Sequence, residues 1–322
     1  MRLILSLLFA GIVLAVPVVV LLDVVLAQEA NSEIAADRVG VPFAWPERPQ
    51  AADPETTLRI LAEAAQATGA TVVRTTVNTQ GDRKRITHYV LLGGDRTALF
   101  DEFKLTRGRW LSPAESRGAA AEVSSEDAGK AGNVGVPAVF ADRYDLTFAP
   151  LRRAFDALPS SGRYVVDAGP AAGRFLALVR ERLVDAGVTG LTAAELTPSD
   201  LGGQSTEPGP GLSILACVLV GMSTVVIAFR LLREGKRIGV LRLIGHPTPR
   251  IWYEVVGRTQ IATVLAGLGA CAAVVLAVPG VDSSFLYAVV PVTAAGFAAT
   301  VGIGLIVVNR VRISDLVKGS LQ

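Results

Sequence analysis

Four long apolar runs, none of which contains a charged side chain, constrain the fold of this 322-residue chain more than any other feature. The runs are Leu3–Leu22, Leu212–Phe229, Thr259–Val278 and Phe285–Val308. Each is long enough, as a helix rising about 1.5 Å per residue, to cross about 30 Å of hydrocarbon. The residues between the first two runs are mostly polar, so they must fold in water. We therefore predict a membrane protein in which one aqueous domain is inserted between transmembrane helices 1 and 2.

With their flanking residues, these runs divide the chain into seven predicted segments. They are transmembrane helix 1 (1–27), an α/β domain ending in a Gly/Pro linker (28–211), helix 2 (212–232), a loop (233–256), helix 3 (257–279), helix 4 (284–309) and a tail (310–322). Helix 1 has a competing interpretation, because Val25-Leu26-Ala27 has the small residues of a signal-peptide cleavage site. Its apolar run is longer than the usual h-region of about 7 to 15 residues, so we favour a retained anchor.

The basic residues outside the large domain predict the orientation of the chain. They lie mainly in the loop and the tail: Arg2, Arg230, Arg233, Lys236, Arg237, Arg242, Arg250, Arg258, Arg310, Arg312 and Lys318. Lysine and arginine near membrane spans favour the cytoplasmic side, whereas long domains cross largely regardless of their charge. We therefore expect both termini and the loop in the cytoplasm and the large domain outside the cell.

Composition and motifs exclude several classes of function. The net charge of +2 is too small for a nucleic-acid-binding protein, which must offset many phosphates. Two histidines, His88 and His246, leave little for a histidine-rich metal site. The chain contains no Gly-x-Ser-x-Gly, Ser-x-x-Lys or His-Glu-x-x-His motif. We therefore predict a non-catalytic subunit with no catalytic residues, no metal and no bound cofactor.

The large domain alternates helical and strand patterns. Asp53-Pro54 is a typical N-cap and first-turn pair, and the helix it begins should end at Gly69. Residues 71–77 and 86–92 are rich in β-branched side chains and predict two strands, followed by a strand at 164–167 and a helix at 170–186. Whether the domain forms one unit or two lobes is left open.

Two features of this domain have competing interpretations. His88 lies in a predicted strand, and we expect a structural rather than a catalytic role for it. The basic run Arg83-Lys84-Arg85 follows a predicted turn. A solvated hairpin tip is the favoured interpretation of this run, and a site for an anionic ligand is the alternative.

The loop between helices 2 and 3 predicts a rigid corner, which we call the elbow (residues 230–258). A helix should leave helix 2 and run to Gly245, because Pro247 disfavours helical angles at His246. Thr248-Pro249 then supplies an N-cap and a first-turn proline for the next helix. An ordinary positive-inside loop would explain the charge of this segment but not its corner.

The elbow resembles the corresponding loop of FtsX/MacB-like permeases of ABC transporters. Their loop carries an arginine or lysine, then Glu-Ile-Gly-x-Leu-Arg-Ala-x-Gly, and later a short basic segment ending in isoleucine. The matching residues are Ile238, Gly239, Leu241, Arg242, Gly245, Arg250 and Ile251. Arg237 replaces the usual glutamate, and His246-Pro247 stands where small residues are commoner. The predicted order of one helix, a large domain and three helices also agrees with the family.

The resemblance implies a permease subunit in the plasma membrane of a bacterial cell. No Gly-x-x-x-x-Gly-Lys-Ser/Thr sequence occurs, so ATP and Mg²⁺ are expected in a separate chain. The implied partners are a cytoplasmic ABC ATPase dimer and a second permease copy, as a homodimer or a heterodimer. The residues implied to couple to the ATPase are Arg237, Ile238, Gly239, Leu241, Arg242, Gly245, Arg250 and Ile251.

Three functions compete at this level. The first is export or clearance of an antimicrobial peptide, a bacteriocin or another amphiphile, favoured because the spans lack charged groups for a hydrophilic path. The second is regulation of an extracellular cell-wall hydrolase, as in FtsX-like proteins, whose outer domains are typically smaller. In both, ATP hydrolysis in the partner would move the outer domain. The third, a membrane-anchored enzyme or ligand sensor, leaves the elbow unexplained.

Overall fold

The computed structural model describes residues 2–81, 83–126, 129–139, 143–197, 211–277 and 284–310. Those between 28 and 207 form one compact unit, which we call the sheet domain. Those within 1–27 and 208–322 form a second, the helical unit. The predicted linker before residue 211 and the predicted tail after residue 310 lie outside the described residues.

Three of the described helices are long and apolar enough to cross a membrane. The three spans are Phe9–Val39, Thr248–Leu276 and Val289–Asn309. They agree with predicted helices 1, 3 and 4. The predicted helix 2 corresponds to a helix at Gly211–Arg233 that is not among these spans. Its place in a membrane therefore stays a prediction.

The chain contains both helices and strands, as predicted. The helices are α1 (Arg2–Val39), α2 (Pro54–Thr68), α3 (Ala98–Asp101), α4 (Pro113–Arg117), α5 (Ala172–Asp185), α6 (Ala193–Leu196), α7 (Gly211–Arg233), α8 (Gly235–Leu243), α9 (Thr248–Trp252), α10 (Arg258–Ala277) and α11 (Ser284–Arg310). The strands are β1 (Val41–Trp45), β2 (Thr71–Gln80), β3 (Arg83–Leu92), β4 (Leu105–Gly108), β5 (Glu122–Ser124), β6 (Asn133–Pro137), β7 (Tyr144–Pro150) and β8 (Gly162–Asp167). Helix α1 continues beyond its predicted end, and its residues from Gln28 onward belong to the sheet domain.

All eight described strands form one mixed sheet in the order β1-β8-β2-β3-β7-β5-β6-β4. The pairs β3–β7 and β5–β6 are parallel, and the other pairs are antiparallel. The sheet domain is therefore one unit and not two lobes. Helices α2 and α5 pack on one face, over β1, β8 and β2. The C-terminal part of α1, with α3, packs on the other face.

Helix α2 shows why the local predictions of helix ends are accurate. The Asp53 side chain accepts a hydrogen bond from the Thr56 N–H at 2.8 Å, and Pro54 occupies the first turn. Gly69 ends the helix with φ of 68°, a left-handed conformation that favours glycine. Both ends agree with the prediction, because caps depend on residues that are close in sequence.

The helical unit has two apolar clusters. One joins the start of α1 to the elbow through Phe9, Leu231, Ile238, Ile251 and Val308. The other joins α1 to α10 and α11 through Val16, Val20, Cys271 and Val289. Between α10 and α11, the buried Gln260 side chain donates a hydrogen bond to the Thr300 hydroxyl.

In the sheet domain, two adjacent glycines after β3 give a matched test of how closely the chain packs against the end of α2. A Cβ atom on Gly93 would lie 2.2 Å from the Ala65 carbonyl oxygen and 2.4 Å from that of Ala70, whereas one on Gly94 would approach only the Gly69 carbonyl, at 3.4 Å. We expect Gly93→Ala to lower the free energy of unfolding by about 1–3 kcal/mol, because backbone must move. Gly94→Ala should stay within about 0.5 kcal/mol of wild type. Denaturant unfolding of the full chain in detergent compares them, and equal losses would contradict the predicted clash.

Candidate functional site

The elbow has the predicted corner between two helices, but its first helix is separate from α7 and does not extend it. The predicted helix from residue 230 to 245 is interrupted at Glu234, so α7 ends at Arg233 and α8 begins at Gly235. Glycine lowers helix propensity by about 1 kcal/mol relative to alanine, and Gly235 stands at the interruption. Helix α8 ends as predicted near Gly245, which has φ of 88°. Only this left-handed position requires glycine in the corner.

The start of α9 differs from its prediction by one residue. The backbone N–H groups of Arg250 and Ile251 both donate to the Pro247 carbonyl, at 3.0 and 3.2 Å. Pro247 is therefore the N-cap, and the prediction of Thr248 as the cap is wrong. Pro247 can hold this position because an N-cap needs an extended backbone and a free carbonyl but no N–H. A π-helical turn at Tyr253–Gly257 then joins α9 to α10.

Burial separates the predicted coupling residues into three groups. Buried are Ile238, Gly239 and Ile251; partly buried are Leu241 and Arg242; exposed are Arg237, Gly245 and Arg250. Ile238 and Ile251 belong to the apolar cluster that packs the elbow against α1 and α11. The structure thus brings the two isoleucines together from either side of the corner. Their position indicates that they hold the corner in shape.

Arg242 binds another part of the helical unit. Its guanidinium donates a hydrogen bond to the Asn309 Oδ1 at 2.9 Å and lies 3.5 Å from the Asn309 carbonyl oxygen. Asn309 lies in the last turn of α11, where the helix dipole favours a cation. Arg242 therefore joins α8 to the end of α11. Arg250 makes an ion pair along its own helix, 3.6 Å from Glu254.

The most exposed apolar side chains of the elbow were not predicted as functional. Val240, Leu243 and Ile244 expose 56, 69 and 69% of their surface. They lie on the face of α8 opposite Ile238, beside exposed Arg237. The charge of the loop hides this pattern in the sequence, although spacings of three and four residues on a predicted helix would have revealed it. The elbow thus presents an apolar face with a basic edge, which we call the α8 face.

Trp252 is a second elbow residue that the sequence analysis missed. Its indole is buried between Gly257 and Gly304, and a Cβ on either glycine would come within 3 Å of the ring. Its Nε1 has no hydrogen-bond partner among the described residues. Two glycines far apart in sequence give no signal that they contact one tryptophan. Trp252 fixes α9 against α11 by close packing.

The C-terminal part of α1 forms a second candidate site, where it packs against the sheet. Its acidic residues recur every fourth position and so share one helical face. The ion pairs are Lys84 with Glu29 at 2.8 Å and with Glu33, Arg143 with Glu29 at 3.7 Å, and Arg163 with Asp37 at 2.9 Å. Burial lowers the pKa of the Lys84 ammonium, but the hydrogen bonds that it donates to Glu29 and Glu33 outweigh this effect and raise its pKa overall.

The basic run at the start of β3 lies at the tip of the β2–β3 hairpin, as predicted, but its side chains form ion pairs. The exposed Arg83 lies 3.6 Å from Asp145, Lys84 binds α1, and Arg85 lies 2.7 Å from Glu126. The sequence does not predict these pairs because the acidic partners come from distant segments. Their charges compensate a run that looks unpaired in the sequence.

His88 occupies the centre of the same junction and is structural, as expected. Its Nε2 donates to the Ser32 carbonyl of α1 at 3.0 Å, and its Nδ1 accepts from the Thr75 hydroxyl at 2.9 Å. The ring stacks on Phe148 with 5.1 Å between centroids. Burial disfavours the imidazolium and lowers the pKa of His88 to about 4. A neutral imidazole therefore links α1 to β2 and β3.

Comparison with known proteins does not assign this chain to a family. No protein-family model matches it, and no curated protein shows significant similarity to it. Within the described ranges, no group of three or more His, Cys, Asp or Glu side chains is placed to hold a metal ion. The function must therefore be inferred from the elbow and from the junction of α1 with the sheet.

The buried His88 predicts a specific dependence of stability on pH. Its pKa is about 4 when folded and about 6.5 when unfolded, so between these values the unfolded chain binds a proton that the folded chain does not. The contribution of neutral His88 to the free energy of unfolding should be complete above pH 6.5. It should fall by about 3 kcal/mol between pH 6.5 and 4. Denaturant unfolding at pH 7.5, 6 and 5 measures the slope. His88→Gln should flatten it, and an unchanged slope in that variant would exclude His88 as the source.

Gly304 and Gly302 provide a matched test of the Trp252 packing. A Cβ on Gly304 would lie 2.9 Å from the indole, whereas one on Gly302 would meet nothing within 4 Å. We expect Gly304→Ala to destabilise the helical unit by about 1–3 kcal/mol and to increase quenching of Trp252 fluorescence. Trp45→Phe and Trp110→Phe in the background isolate that signal. Gly302→Ala should leave both readouts unchanged, and equal effects would contradict the contact.

Proposed function

We propose that this chain is the permease subunit of an FtsX/MacB-like ABC transporter, coupling ATP hydrolysis in a separate ATPase to movement of its sheet domain. The observation that carries the proposal is that the elbow has one set of buried residues and one set of exposed apolar residues. Ile238, Gly239 and Ile251, which match the family motif, are buried and hold the corner. The α8 face remains exposed and available to a partner.

The chemistry of the α8 face supports an ATPase as that partner. Burying apolar surface is favourable by about 25 cal/mol for each Å² removed from water. Exposed apolar patches therefore commonly mark interaction sites. Leu243 and Ile244 would gain this energy in a complementary cleft, and Arg237 would meet acidic groups at its rim. ATP and Mg²⁺ would both be held by that partner, as a cytoplasmic ATPase dimer acting on two permease copies.

The junction of α1 supports transmission of movement to the sheet domain. Helix α1 contributes residues to both units, and its part beyond Gln28 is fixed to the sheet by ion pairs and by His88. Displacement of α1 would therefore displace the sheet. In the proposed orientation, in a bacterial plasma membrane, the termini lie in the cytoplasm and the sheet domain outside. We retain export or clearance of a peptide or another amphiphile as the activity.

Affinity capture of the tagged full chain from its native membranes, with mass spectrometry of co-purifying chains, tests the proposal. Wild type should recover an ATP-binding chain. Leu243→Ser combined with Ile244→Ser should lose most of it, because the apolar face is removed. Arg242→Glu should lower ATP-dependent activity by breaking the contact with Asn309.

Val184→Ser serves as the control, since Val184 is an aliphatic residue on α5 of the sheet domain that exposes 50% of its surface. It should recover as much ATPase as wild type. Recovery of no ATPase with wild type would favour a membrane-anchored sensor or enzyme. Undiminished recovery with the double variant would exclude the α8 face as the contact.

A further inference from the structure

We propose that the sheet domain binds a small neutral saccharide in a cleft on its open face. The cleft has a volume of about 270 Å³ and lies over β3, β7 and β5, beside the 3₁₀ segment Leu151–Asp156. This volume is close to the lower end of the usual range for small-molecule sites, about 300–1,000 Å³. The inference is independent of any coupling to an ATPase.

The floor of the cleft is a row of hydroxyl groups. Thr87 of β3 pairs in register with Thr147 of β7, which pairs with Ser124 of β5. The Ser124 and Thr147 hydroxyls lie 3.0 Å apart, and Ser124 is almost fully buried. Helices α2 and α5 cover the same face of the sheet farther along, over an apolar core. The face therefore changes from apolar to polar where the helices no longer cover it.

Fixed charge pairs form the rim of the cleft. On one side, Arg85 lies 2.7 Å from Glu126. On the other, the Glu122 carboxylate binds Arg153 and lies 3.7 Å from Lys130. Only 6% of Glu122 is exposed, and a buried carboxylate without partners would cost several kcal/mol. These pairs must therefore persist when a ligand binds.

The balance of charge selects the class of ligand. The described lining residues comprise three cations and three carboxylates: Arg85, Lys130, Arg153, Glu122, Glu126 and Asp156. A charged ligand would have to break one of the ion pairs or leave an unbalanced charge. A neutral sugar would not, because each of its hydroxyls can donate to a carboxylate lone pair and accept from a guanidinium or hydroxyl.

Two further groups fit this class of ligand. The Nε of Arg85 is buried and has no hydrogen-bond partner within the described part of the chain, so it can donate to a hydroxyl. The partly buried Tyr89 adds an aromatic side chain to the lining, and the C–H face of a sugar ring can pack on it. Donors, acceptors and an aromatic surface thus meet in one cleft of suitable size.

Titration of the full chain in lipid nanodiscs, followed by saturation-transfer NMR, tests the inference. The neutral probes are glucose and N-acetylglucosamine, and the charged probes are glutamate and lysine. At least one sugar should bind with a Kd of about 1 mM or tighter, and the charged probes should bind more weakly. Absence of sugar binding, or preference for a charged probe, would overturn the proposal.

Variants of the cleft locate the binding. Thr147→Val keeps the shape of the side chain and removes one hydroxyl, and Arg85→Met removes the guanidinium. Each should weaken sugar binding about tenfold, the effect of one lost hydrogen bond to a bound ligand. Glu126→Gln, which keeps the volume of the side chain, provides a third variant if either of these unfolds.

Arg152→Met is the matched control, because Arg152 lies next to Arg153 in sequence but pairs with Glu55 outside the cleft. It should bind sugar as wild type does. Binding that is equally weakened in this control, or unchanged in all the cleft variants, would exclude the cleft as the site.

Discussion

The attachment of α1 to the sheet depends on a buried imidazole that stays neutral. His88 has no access to solvent, and each of its ring nitrogens has one partner, the Ser32 carbonyl or the Thr75 hydroxyl. These partners come from α1 and β2, while the ring stacks on Phe148 of β7. One side chain therefore connects a helix with three adjacent strands, and the rest of the junction is arranged around it. Among the described residues no carboxylate pairs with His88, so protonation would place an uncompensated charge in a buried site.

The charges around this junction have a different role from the imidazole. The ion pairs of Lys84 and Arg163 with α1 are partly exposed, and exposed pairs typically contribute about 0–1 kcal/mol each. The buried bonds of His88 cannot be exchanged for water, so losing one partner costs about 1–3 kcal/mol. The buried contacts therefore supply most of the strength. The acidic residues at spacings of four specify which face of α1 meets the sheet.

The sequence predicted those parts of the structure that depend on neighbouring residues. The ends of α2 follow from Asp53 and Gly69, and the α8 corner follows from Gly245. Contacts between distant residues could not be predicted in this way. Arg242 binds Asn309 although 67 positions separate them, and nothing in the sequence predicts that contact. The assignment of Thr248 as an N-cap failed at a finer level, because the carbonyl of Pro247 accepts the first hydrogen bonds of the helix.

The elbow places opposite demands on side chains of the same chemical type. Leu243 and Ile244 stay exposed although burial would stabilise them, and exposed apolar side chains commonly mark interaction sites. Ile238 and Ile251, a few residues away, are buried because they hold the corner. Hydrophobicity alone therefore does not separate a structural residue from an interaction residue in this loop. Their positions around the helix axis distinguish them, since residues 238 and 240 lie about 200° apart around α8.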